Sequence, residues 1–174
     1  MQALREEAAL TVSACTEDDE LSKLWRQLRK PRRDYTADAV SLFTRISQRH
    51  GLNYNPLDDP TVAIMWEFPA QEKLVWPVTL GLQNLDELNF GVPGFWSYFF
   101  PFPSAEGKFE SYIDAWVHGH ARIVRRPGRF RITSSSNLEI LAGGAWEKVY
   151  GGYGDLWPHQ SMIIQNTRGS DEQD

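Results

Sequence analysis

Between positions 95 and 102 the chain reads Phe95-Trp96-Ser97-Tyr98-Phe99-Phe100-Pro101-Phe102, six aromatic rings in eight residues. So much apolar surface is unstable as a water-exposed loop, because each large ring gains by leaving water. Gly91-Val92-Pro93-Gly94 just before it is a turn signal and stops a long helix from covering the run. The run is therefore the centre of a core or the wall of a pocket. As a strand it has two faces. Phe95, Ser97, Phe99 and Pro101 share one, and Trp96, Tyr98, Phe100 and Phe102 share the other. The second set is bulkier and is expected to anchor the run in the core. Ser97 then leaves room beside Phe95 and Phe99. Those two, with Tyr153 and Trp157 from a glycine-rich loop at 151–157, are the expected ligand- or partner-binding residues.

A chain of 174 residues suits one domain, expected over 1–166, with 167–174 a frayed polar tail. Its net charge of −5 weighs against nucleic acid or an anionic membrane as a partner. Cys15 is the lone cysteine, which rules out an internal disulfide and a multi-cysteine metal site. No run of about 18 apolar residues occurs, so no membrane-spanning helix is expected. The first residues lack a basic segment followed by an apolar one, so no leader is expected. These features together predict a cytoplasmic protein. Arg outnumbers Lys 13 to 5, a bias that suggests a GC-rich bacterial source.

Periodicity divides the chain. Thr16 can cap a helix, and Leu21, Leu24, Trp25 and Leu28 follow at helical spacing until Pro31. A second helix is predicted over 36–50, with Val40, Phe43, Ile46 and Ser47 as its stripe and Gly51 as its stop. The period then changes to two. Val62, Ile64, Trp66 and Phe68 share a face, as do Leu74, Trp76, Val78, Leu80 and Leu82. These predict a hairpin that buries Trp66 and Trp76 together. Pro77 has no N–H and marks the second strand as an edge or a bulge. A third helix is predicted over 105–117. Short strands follow at 121–126, 129–134, 138–141, 146–150 and 161–165, with turns at Pro127-Gly128, Ser135-Ser136-Asn137 and Gly143-Gly144. The expected fold class is α+β: a twisted antiparallel sheet of about five to seven strands, with N-terminal helices and one central helix packed on it.

Three constellations bear on chemistry. His118-Gly119-His120 offers two imidazoles near Asp114, but at a predicted helix end and followed at once by Arg122, Arg125 and Arg126, which repel cations. No metal site and no cofactor are expected there; His118 suits the negative end of a helix. Glu67, between Trp66 and Phe68, is a candidate acid–base group, with Asp114 and His118 as companions. Arg122, Arg125 and Arg126 form a basic rib that could bind an anion or serve as a charged edge. No nucleophile elbow, phosphate-binding loop or dinucleotide fingerprint is present.

Three functions follow. The first is a non-catalytic module that binds an unknown protein partner, with toxin-neutralising immunity proteins as an analogy of class alone. The second is a small hydrolase-type enzyme acting through Glu67, Asp114 and His118. The third is a carrier of a small apolar ligand along 95–102.

Overall fold

The computed structural model describes residues 33–127, 134–154 and 161–167, with side chains omitted at 153 and 154. The chain parts into two units, Met1–Arg33 and Asp34–Asp174, and every element below belongs to the second. The expected helix at 16–30 and Cys15 lie outside the described residues. Helix α1 spans Thr36–His50. Asp38 in its first turn and Arg49 and His50 in its last match the helix dipole. It ends where Gly51 takes the left-handed conformation at φ 63°, and Leu52 N–H returns to the Ser47 carbonyl. Its buried face is Ala39, Leu42, Phe43, Ile46, Ser47 and His50. Val40 is exposed, against expectation. Phe43 packs on Trp66 and Phe109, and this centres the face on Leu42 and Phe43.

Five strands then form an antiparallel meander: β1 (Asn55–Leu57), β2 (Ile64–Phe68), β3 (Val78–Gln83), β4 (Glu87–Val92) and β5 (Phe95–Trp96). Helix α2 spans Phe102–Val117 and buries Phe102, Ala105, Phe109, Ile113 and Trp116. A second antiparallel sheet follows from β6 (Ala121–Pro127), β7 (Ser134–Ala142), β8 (Ala145–Gly154) and β9 (Met162–Gln165), in the order β8-β7-β6-β9. The protein is thus α+β, but the strands divide into two sheets. One core joins them: Leu80, Leu82, Phe90 and Phe95 from the first sheet, Ile123, Leu138 and Ile164 from the second, and the apolar faces of both helices.

The hairpin places its two tryptophans differently. Trp66 is 8% exposed, stacked on Tyr54 and edge-on to Phe43. Trp76 is 38% exposed and lies outside β3, its indole N–H donating to the Gln165 carbonyl at 3.2 Å. The shared burial expected of the two does not occur. Pro77 also does not mark an edge, since β3 lies between β2 and β4. The strand starts just after Pro77, at the first residue able to donate to the ladder. Ser135-Ser136-Asn137 lies within β7 rather than in a turn, while Gly143-Gly144 does turn the β7–β8 hairpin. The 151–154 segment continues β8 as a paired strand instead of forming a loop.

Trp66→Ala is expected to cost about 3–5 kcal/mol, the usual penalty for emptying a large aromatic site. Trp76→Ala is expected to cost about 1 kcal/mol, the value of one net hydrogen bond. Urea denaturation of the two variants checks this ordering. Equal losses would mean that Trp76 contributes to the core.

Candidate functional site: an aromatic groove and a histidine cleft

Pro93-Gly94, with Gly94 at φ 74°, turns β4 into β5 and sets the register Val92↔Phe95 and Gly91↔Trp96. The pairing runs on to Phe99, which exchanges backbone bonds of 2.8 and 2.9 Å with Leu88. Phe95, Ser97 and Phe99 therefore stand opposite Val92, Phe90 and Leu88, all core residues. The alternation is as expected, but the faces are reversed. Phe95 and Ser97 are buried and Phe99 is half-buried. Tyr98 and Phe100 are 47% and 67% exposed. The register of β4 decides which face points inward, and side-chain bulk does not. Ser97 leaves no room: its hydroxyl is buried and donates to the Phe90 carbonyl at 2.9 Å. Phe102 does anchor the run, but as the first residue of α2, stacked on Tyr35 at 4.9 Å.

This arrangement opens a groove of about 340 Å³ along the start of α2. Tyr98, Phe99, Phe100, Lys108, Tyr112 and Tyr150 are among its lining residues. Phe99 is held against Phe109, Tyr112 and Tyr150 at 5.2–5.8 Å between ring centres. Burial pushes the Tyr150 phenol above its usual range, with help from the Tyr98 phenol and the Glu87 carboxylate; a bond from the Tyr98 backbone opposes it.

A second concavity, about 390 Å³, lies where the C-termini of α1 and α2 meet. Arg49, His50, Glu72, Lys73, His118 and Asn166 are among its lining residues. His50 is 6% exposed and its Nε2 lies 2.7 Å from Asp114 Oδ1. His118 caps α2, and its Nδ1 lies 2.7 Å from the Asp114 carbonyl oxygen. A carbonyl only accepts, so Nδ1 of His118 carries the proton and Nε2 is the free nitrogen of the neutral ring. The two rings meet edge to face at 5.4 Å, and His120 lies 6.4 Å from His118. Arg49 bonds Asp114 at 2.8 Å and Glu110 at 2.6 Å, while Arg45 bonds Glu110 at 2.9 Å. The Arg45 hydrogen bond, more than any other cause, holds the Glu110 carboxyl below its usual range.

Asp114 meets His118 only through its backbone carbonyl, and its carboxylate is taken by His50 and Arg49. Glu67 stands apart on β2, paired across the sheet with Asn55 and Thr79. Phe95 is in the core, edge-on to Tyr150 at 5.9 Å. The Tyr153 side chain and Trp157 lie outside the described residues. Arg122 stacks on Trp146 at 4.2 Å and gives two hydrogen bonds to Glu139, of 2.8 and 2.9 Å. Arg126 is exposed, 3.9 Å from Glu139. Arg125 is half-buried and reaches toward Gly94. The rib sits on β6, an interior strand, so it is not a charged edge. Sequence reasoning missed His50 because only its i+4 relation to Ile46, on the buried face, could have signalled it.

No protein-family model, curated protein or solved structure matches this chain.

The Tyr150 phenol is expected to titrate above about 10, the ordinary tyrosine value. The sign follows from the raised folded value. Stability from this group is complete below the unfolded pKa and is lost as pH rises through the folded one. Absorbance titration of Tyr150→Phe should therefore lack a tyrosine step above about pH 10, and the variant's stability should fall less steeply there. Loss of a step at about pH 10 instead would place Tyr150 in open solvent.

Proposed function

We propose that the chain is a non-catalytic binding module that receives a protein partner at the aromatic groove. One observation carries this reading: Phe100, 67% exposed, and Tyr98 flank a groove backed by Phe99. A lone exposed apolar residue is ordinary, but adjacent exposed rings around a concavity are the composition of interface hot spots. The backing is firm, because Phe99 is tied to β4 by two backbone bonds and packed on α2. A rigid ring loses little entropy when a partner covers it. The acid–base alternative draws less support, since no contact joins Glu67 to Asp114 or His118 among the described residues.

Affinity capture with the wild-type chain, repeated with Phe100→Ser, tests the reading. The partner so identified is then titrated in purified form by calorimetry. Phe100→Ser should leave the melting temperature nearly unchanged and weaken binding roughly 30-fold or more, the scale of a hot-spot residue. Phe99→Ala should lower stability by about 3 kcal/mol, the lower end for phenylalanine. Equal affinity of wild type and Phe100→Ser would move the interface away from the groove.

A further inference from the structure

On the reading of the aromatic groove as the interface, we propose that the segment it receives from the partner protein carries an aromatic side chain next to a carboxylate, with Lys108 as the cation that pairs with that carboxylate. The groove has two unlike walls. One is the run 98–100 together with Tyr150 of β8, and its surface is aromatic ring. The other is α2. There Ser104, Lys108 and Tyr112 follow at four-residue steps, so they stand in one column on the helix. That column offers a hydroxyl, an ammonium and a phenol, all of them donors.

A volume of about 340 Å³ is at the small end for ligand pockets, which suits one or two side chains rather than a whole helix face. A partner ring fits against Tyr98 and Phe100, the two exposed rings of the first wall. The group next to that ring then meets the donors of α2.

The charge of that group follows from the surroundings of Lys108. It is the one ionised side chain among the described lining residues. Glu106 and Glu110 lie two positions to either side of it, a spacing at which helical side chains do not face each other. Both carboxylates are already bonded to Arg45, at 3.1 and 2.9 Å. Among the described residues Lys108 makes no ion pair, whereas Arg45, Arg49 and Arg122 each hold a carboxylate. The field of the helix has the same sign, since the groove follows the first turns of α2 and no acidic residue occupies its first turn. Glu87, which acts on the Tyr150 phenol, disfavours a further carboxylate beside that ring. The partner's carboxylate therefore belongs over α2 and its ring over 98–100.

Three capped tetrapeptides test the assignment: Gly-Phe-Asp-Gly and its counterparts with Asn or Lys in place of Asp. Each is titrated into the full chain while NMR follows the backbone amides of 98–112 and 150. At low salt the Asp peptide should bind about two- to fivefold more tightly than the Asn peptide, the range of one exposed ion pair. The Lys peptide should bind more weakly than either, and added salt should narrow the gaps. Lys108→Gln should bring the Asp and Asn affinities together, with an unchanged circular dichroism spectrum because its side chain is exposed. Equal affinity of the Asp and Asn peptides for the wild-type chain overturns the acidic preference. So does a preference that survives Lys108→Gln. In either case, loss of binding in Phe100→Ser leaves the groove as the interface. Failure of all three peptides to shift these signals, or binding unaltered by Phe100→Ser, overturns the groove as the interface and the acidic partner with it.

Discussion

The packing of α2 on everything around it is the constraint on which the rest depends. Phe109 meets Phe43 of α1, and Trp116 meets Phe90 of the first sheet at 5.5 Å. Its buried residues share one core with Ile123 and Leu138 of the second sheet. Neither sheet could bury its inner face alone, so a helix with one continuous apolar stripe holds the α+β arrangement together. Both candidate sites are consequences of where this helix begins and ends. The aromatic groove lies along its first turns, and the histidine cleft lies at its last.

The polar side of the same helix is equally specific. Arg45, Arg49, Glu106, Glu110 and Asp114 form a connected set of ion pairs across α1 and α2. Exposed pairs taken singly contribute little, but a connected set fixes the register of two helices and hence the relation of His50 to His118. The interior pays for some of its order. Among the described residues, Trp116 Nε1, Asn89 Oδ1, Arg125 Nε and Ser136 Oγ are buried without a hydrogen-bond partner, each at a cost of about 1–3 kcal/mol.

Much of the fold was legible because periodicity reports burial directly. The stripe and glycine stop of α1, the stripe of α2, and the alternation of Ile64, Trp66 and Phe68 all follow from residue spacing. Trp76 escaped because Pro77 interrupts the alternation, and a hydrophobicity pattern does not register a missing donor. The division into two sheets escaped because strand pairing is non-local. Nothing in the spacing of 121–165 says that β9 returns to pair with β6.

Sequence by itself determined that the 95–102 run alternates, that α2 follows it, and that Asp114 and His118 lie four residues apart on one helix. These are local facts, set by backbone geometry. Tertiary structure alone decided which face of the run is outward, because that depends on the register of Leu88, Phe90 and Val92 on the neighbouring strand. It also decided that His50, 68 positions before His118, is the imidazole that meets it. The ends of two packed helices brought those rings together, and no spacing within either helix encodes that meeting.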